Sequence, residues 1–334
     1  MQKKQALRGL SAACSSLLVL SIFGSQAANN YASDVNNFLG IKTTVVKDEG
    51  TSTEDTDYYP TGLSTNDIND VETLKELEAA AVDENVAQEE EGAVLLKNDN
   101  DALPLAEGSN VTLLGSSTVN VYLGRRISET NGMGTPVYTA WADEEKYAGY
   151  EPSIGYVEAM KSVYNVNQTM IDAYQNSIDT YPGRGAYDDD SGKTVDGNAP
   201  AEFYTDDMKS TFATYGDAAV LIFSRYADED NDFSQSGGVG GISELALQPN
   251  EVDLLKMVKE YKDNGTFKKV IVLVNSSNPI ELGSMDDYGV DAILWIGFPG
   301  SAGMRGVTNI LTGKVSPSGK LADTYAVDST SAPR

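Results

Sequence analysis

Ser224-Arg225-Tyr226-Ala227-Asp228-Glu229-Asp230-Asn231-Asp232-Phe233 sets four carboxylates within five positions, beside one guanidinium. Carboxylates this close repel one another, so at least one should keep its proton to a higher pH than usual unless Arg225 or a ligand offsets the charge. A carboxylic acid still protonated near neutrality is what general acid catalysis needs. The same oxygens also suit an exposed acidic loop or a weak calcium loop. No histidine occurs anywhere in the chain, which removes Ser-His-Asp and Cys-His devices and the commonest zinc ligand. The one cysteine, Cys14, sits in a leading apolar segment, so neither a disulfide nor a thiolate metal site is expected in the mature chain. Chemistry falls to carboxylates, lysine, tyrosine or hydroxyls, with no cofactor and no metal expected.

Two glycine-rich stretches, Gly237-Gly-Val-Gly-Gly241 and Gly297-Phe-Pro-Gly-Ser-Ala-Gly303, invite a nucleotide reading. The first does not join a strand directly to a helix. The second lacks the Lys-Ser/Thr ending of a P-loop and the spacing of a dinucleotide fingerprint. Its position at a helix entry leaves N–H groups able to hold an anion, though helix entry alone accounts for such residues.

Positioning the acidic segment requires a scaffold, and the apolar pattern supplies one. Val111–Gly115, Ala218–Phe223, Val270–Val274 and Ala292–Ile296 are short apolar runs of the kind buried on both faces of a parallel sheet. Helical patterns over 154–178, 206–215, 249–264 and 301–311 alternate with them, as in a doubly wound fold. The fold class expected is therefore α/β, a three-layer αβα sandwich with a mostly parallel sheet. A long amphipathic helix is predicted over 67–91, and 181–199 reads as a surface excursion. Ligands of such a sheet bind outside the carboxyl ends of its strands. This directs attention to the loops 116–134, 224–241, 275–285 and 297–306.

Ahead of the sandwich, Lys3, Lys4 and Arg8 precede an apolar stretch from Leu10 to Phe23, followed by Ser25-Gln26-Ala27. That is the layout of a secretory signal, and an uncleaved anchor over 7–27 is the competing reading. The expected organisation is a signal or anchor over 1–28, a flexible lead-in over 29–65 rich in Asn, Asp, Thr, Gly and Tyr, a sandwich domain over 66–328 and a truncated tail over 329–334. The formal net charge of −26 repels phosphate backbones, so nucleic acid is not an expected partner. An extracellular location, secreted or anchored to the outer face of the cytoplasmic membrane, follows from the leader.

Taken together, the loops resemble one family. Glu91-Gly-Ala-Val-Leu-Leu-Lys-Asn98 and Ala102-Leu-Pro-Leu105 are similar to the opening of the α/β sandwich domain of family 3 glycoside hydrolases. Phe298-Pro-Gly-Ser-Ala-Gly303, Ile310-Leu-Thr-Gly313, Ser316-Pro-Ser-Gly-Lys-Leu321 and Asp323-Thr-Tyr325 are similar to its close. Between them, Ser224-Arg225 followed by Glu229 and Asp232 resembles the family's Ser-Arg-x-x-x-Glu-x-x-Asp segment, and Leu247–Leu255 resembles the helix entry after it. The resemblance implies that Glu229 is the general acid/base, with Arg225, Asp228 and Asp232 shaping its surroundings. It also implies a retaining β-glucosidase-like activity on a carbohydrate, and a nucleophilic aspartate on a (β/α)8 barrel that usually precedes the sandwich and in some bacterial members follows it, the order that a leader running straight into the sandwich resembles. The chain reaches Arg334 without the roughly 250 residues such a barrel needs, so a barrel is an expected partner and the chain alone is expected to be inactive. One departure is Tyr122-Leu-Gly-Arg-Arg-Ile-Ser128, where the family often has a Gly-Ser-Gly-like turn. If that turn lines the sugar site, Arg125 and Arg126 would alter or fill it; the alternative is surface charges balancing an acidic domain. The alternative function is a non-catalytic carbohydrate-binding or surface module of the same fold, and the layer architecture also admits a Rossmann-like dehydrogenase or flavin protein.

Overall fold

The computed structural model describes residues 2–30, 71–123, 154–183, 197–225 and 233–329. Two compact units divide the chain, Met1–Thr61 and Gly62–Arg334. In the first, α1 (Gln2–Asn30) is a helix whose Leu7–Gln26 stretch is long and apolar enough to cross a membrane, by length and composition. Its Leu, Val, Ile and Phe side chains are exposed, as is Cys14.

The second unit is built on a six-stranded mixed sheet with helices on both faces. After α2 (Val71–Gly92) come β1 (Val94–Asn98), β2 (Asn110–Leu114), α3 (Tyr156–Val163), β3 (Asn165–Val166), α4 (Gln168–Asn176), α5 (Asp206–Ser210), β4 (Ala218–Ser224), α6 (Pro249–Asp263), β5 (Val270–Asn275), β6 (Ala292–Trp295) and α7 (Met304–Leu311). The spatial order is β1-β6-β5-β4-β2-β3, and every pairing is parallel except β1 with β6.

Alternation along β4 shows why both faces are buried. Ala218, Val220 and Ile222 face a cluster completed by Tyr156 and Met160 of α3 and by Met304, Val307 and Leu311 of α7. Ala219, Leu221 and Phe223 face the other, with Met170 and Tyr174 of α4 and Leu254, Leu255 and Val258 of α6. Each such Val, Leu, Ile or Phe contributes about 1.5–3 kcal/mol by leaving water, which offsets the chain entropy of ordering the strands.

Three elements differ from the sequence reading. The pattern over 154–178 is not one helix, because β3 interrupts it. Asn165 N donates to the Ser109 carbonyl and Asn167 N to the Val111 carbonyl, so backbone pairing with β2 wins over local helical periodicity. The helix expected over 206–215 stops at Ser210 and gives way to turns that carry Phe212 into the core. β1 is an unanticipated edge strand, antiparallel to β6 and bulged between Leu95 and Lys97.

The long helix expected over 67–91 corresponds in the described residues to α2, which lies against α7. Asn85 Nδ2 donates to the Pro299 carbonyl and Asn85 Oδ1 accepts from Ala302 N, at 2.8 and 2.9 Å. Gly306 makes the approach feasible, because a Cβ there would meet the Val86 carbonyl at 2.8 Å and Glu89 Cβ at 3.1 Å. Further toward the N-terminus, Leu77 is exposed and Thr73 is buried.

Candidate active site

The strand order decides where a site belongs. β3 and β4 lie on opposite sides of β2, so the connections leaving β2 and β4 depart to opposite faces, α3 on one and α6 on the other. This is the topological switch point of a doubly wound sheet, and the crevice outside the carboxyl ends of the two diverging strands is where such folds take ligands. The loop beginning at Gly115 and the segment beginning at Arg225 border it.

Glycine at 115 is required by this geometry. Its φ is +95°, and a Cβ would sit 2.8 Å from the Ile222 carbonyl of β4. Gly115 N donates to the Tyr174 hydroxyl oxygen at 3.0 Å, and that hydroxyl lies 3.1 Å from the hydroxyl of Tyr204. Burial raises the Tyr174 phenol far above its ordinary pKa, so it stays neutral. The following turn, Ser116–Val119, is tied to Asn198. Ser116 N donates to Asn198 Oδ1 at 3.1 Å, and Ala199 N donates to Ser116 Oγ at 2.9 Å.

Arg225 opens the acidic segment and is 2% exposed. Its Nη1 and Nη2 donate to Glu251 Oε1 and Oε2 at 2.5 and 2.6 Å, a bidentate pair. Nε donates to the Glu244 carbonyl, Nη2 also to the Ala246 carbonyl, and Nη1 to the Ser224 carbonyl. Glu251 is fully buried and caps α6, accepting from Gln248 N at 2.8 Å, and Asn198 Nδ2 donates to its other oxygen at 3.3 Å. The distal stem of the segment is held as well. Glu244 N donates to the Ser234 carbonyl and Ser234 N to the Glu244 carboxylate, while Val239 N donates to Gln248 Oε1. A single polar framework, Asn198-Glu251-Arg225 with Glu244 and Gln248, thus fixes both ends of the segment.

Asn275, at the end of β5, joins the remaining loops. Its Oδ1 accepts from Tyr122 N at 2.9 Å and from Ser224 Oγ at 2.7 Å, and its Nδ2 donates to the Tyr122 and Gly297 carbonyls at 2.8 and 2.7 Å. A cavity of 380 Å³ opens beside the Ser116–Val119 turn, lined by Thr118, Tyr156, Glu158, Lys161 and Gln175 among others.

Of the residues singled out by sequence, Arg225 stands at the crevice in this framework. Asp228, Glu229 and Asp232 lie outside the described residues, as do Arg125 and Arg126. Ahead of α7, Gly300 N donates to the Leu123 carbonyl and Ala302 N to Asn85 Oδ1, so protein groups engage these two N–H groups of the Gly297–Gly303 stretch. Among the described residues no group of three or more His, Cys, Asp or Glu could hold a metal ion. Sequence reasoning missed Glu251, Asn198 and Asn275. The first left a signal in Gln248-Pro249-x-Glu251, a capping pattern with proline at the first helical position.

Residues 93–334 match the family model described as the glycosyl hydrolase family 3 C-terminal domain. The chain belongs to glycosyl hydrolase family 3. Within the family it is 30% identical to a β-glucosidase of Ruminococcus albus over 73% of this chain and 23% of that protein. It is 29% identical to β-glucosidase A of Butyrivibrio fibrisolvens over 71% of this chain and 27% of the relative. The solved structure of β-glucosidase 3B from Thermotoga neapolitana in complex with glucose superposes with a TM-score of 0.58 at 26% identity, covering 78% of this chain and 32% of that one. The family 3 domain therefore spans less than a third of the length of each of these relatives.

Proposed function

We propose that this chain is the sandwich portion of a retaining β-glucosidase-like hydrolase acting on O-glycosyl bonds of β-glucosides or oligosaccharides, and that Glu229 is its general acid/base. The observation that carries the reading is the switch-point crevice. The acidic segment leaves β4 at that crevice, with its two stems held by the buried Arg225–Glu251 pair and by the Glu244–Ser234 bonds. A general acid works only when held within hydrogen-bonding reach of the leaving oxygen, and rigid stems are what such placement needs.

In the retaining scheme an aspartate of a separate (β/α)8 barrel attacks the anomeric carbon while Glu229 gives its proton to the departing glycosidic oxygen. Glu229, now a carboxylate, then takes a proton from water as that water's oxygen attacks the anomeric carbon and releases the aspartate. Arg225 acts on the segment's stem, and Asp228 and Asp232 contribute negative charge that favours the protonated form of a neighbouring carboxyl. α1 directs export or anchors the chain to the membrane, which suits an extracellular substrate.

The test joins the chain to its barrel and measures turnover of an aryl β-glucoside. Glu229→Gln is expected to lower kcat by about 100-fold or more, and unchanged turnover eliminates Glu229 as acid/base. Calorimetric binding of cello-oligosaccharides to this chain alone, together with no turnover in the joined protein, would favour a carbohydrate-binding module instead.

A further inference from the structure

We infer that α2 is a proton-dependent clamp on one wall of the crevice, gripping the connection from β6 to α7 while Glu89 is neutral and letting it go when Glu89 ionises. The inference concerns the crevice itself and stands independently of the role given to Glu229. The grip is made by Asn85, whose side-chain amide accepts from Ala302 N and donates to the Pro299 carbonyl. Gly300, between those two residues, has a φ of +77°, and a Cβ there would lie 2.7 Å from both the oxygen and the nitrogen of the Asn85 amide, so the backbone is shaped to admit this side chain. The gripped connection is bonded in turn to the segments after β2 and before α3: Gly300 N donates to the Leu123 carbonyl, and Ile154 N donates to the Ser301 carbonyl, each at 2.9 Å.

Glu89 lies one helical turn beyond Asn85 on the same face of α2, 8% exposed, and Gly306 brings the α7 backbone against its stem. Its Oε1 has no hydrogen-bond partner among the described residues. The charged groups on the elements packed here are few. α7 carries Arg305 alone, the tail that crosses Gly92 at Gly319 carries the exposed Lys320, and on α2 itself Glu90 accepts from Asn309 Nδ2 at 2.7 Å while Glu91 is exposed. Burial by itself raises the Glu89 carboxyl, so neither cation meets it as a countercharge. Glu78, three turns earlier on the same face, is raised by burial in the same way and also has an unpartnered Oε1. A neutral carboxyl can remain in this interface, whereas a carboxylate there has neither water nor a cation to offset its lost hydration. With a value of about 8 when α2 is docked and the ordinary 4.5 when it is released, docking is strongest below pH 4.5, weakens as the pH rises and levels off above about 8.

The experiment follows amide exchange of the full chain from about pH 5 to about pH 8, each rate expressed as protection relative to an unstructured chain. Ala302 reports the clamp, because its N–H is held by Asn85, and Val272, fully buried in β5, reports global unfolding. Ala302 is expected to be less protected than Val272 and to lose protection by about 100-fold or more across that range. Glu89→Gln is expected to remove most of the fall, leaving a change of about tenfold or less from Glu78, and Glu89→Leu supplies the same neutral comparison should the glutamine variant not fold. Asn85→Ala is expected to leave Ala302 unprotected at every pH while Val272 stays protected. Equal protection of Ala302 and Val272 at every pH overturns the inference, since the wall would then be released only when the whole domain unfolds. A fall at Ala302 that neither Glu89 variant changes overturns it as well, as does full protection of Ala302 in Asn85→Ala. Failure of the acid/base reading shows elsewhere, in normal turnover by Glu229→Gln in the joined protein, and leaves these exchange rates untouched.

Discussion

Arg225 and Glu251 have side chains 3% and 0% exposed, and ions so far from water are tolerated only when each is fully met by the other. The geometry achieves that with two short parallel bonds, and the remaining guanidinium N–H groups go to carbonyls. Glu251→Gln removes the countercharge and turns an N–H toward a donor. Urea unfolding is expected to show a loss of about 3–5 kcal/mol, far above the effect of an exposed, solvent-screened pair such as Lys256–Asp253.

Glu89, on α2, behaves in the opposite sense. Burial pushes its carboxyl up to about 8 from an ordinary 4.5, and its Oε1 has no hydrogen-bond partner among the described residues. The folded chain therefore keeps a proton that the unfolded chain releases above pH 4.5. The stability this site supplies is fully present below that pH, declines as the pH rises and is gone above about 8. Glu89→Gln takes the charge away. Its unfolding free energy relative to the unmodified chain is expected to rise by about 4 kcal/mol between pH 4 and pH 8.5, and parallel pH curves for the two proteins would show that Glu89 ionises freely.

At the scale of elements, the switch point depends on β2 and β4 approaching at Gly115. Gly115→Ala forces a side chain into a φ of +95° and against the Ile222 carbonyl. A loss of about 1–3 kcal/mol is expected, with amide exchange accelerated first in the Ser116–Val119 turn. Alanine tolerated without loss would show that the two strand ends are free to separate. The strands that meet there were legible in sequence because runs such as Val270–Val274 are apolar at every position, the mark of burial on both faces. β1 and β3 were not. β1 carries Lys97 and Asn98 at the sheet edge, and β3 has two residues whose only extended partner is β2. The same limit governs the site. The acidic segment announces itself by local charge density, whereas Arg225 finds Glu251 across 26 residues and Tyr122 finds Asn275 across 153. Such pairs exist only once the strand order is known, and no local spacing encodes that order.

On the scale of the whole molecule, α1 poses a question that its own chemistry can answer. The helix is apolar over Leu7–Gln26 and preceded by basic residues, a layout shared by a removable export signal and a retained anchor. Cys14, the only cysteine in the chain, lies within that stretch. Cleavage after Ala27 therefore removes the one thiol of these 334 residues, and retention keeps it. Thiol labelling of protein recovered outside the cytoplasm, under denaturing conditions, is expected to find none. One label per chain, with the protein sedimenting in the membrane fraction after an alkaline wash, would assign α1 to anchoring. Either result leaves the sandwich without a cysteine, so its shape rests on the two apolar layers and the buried polar framework rather than on a disulfide.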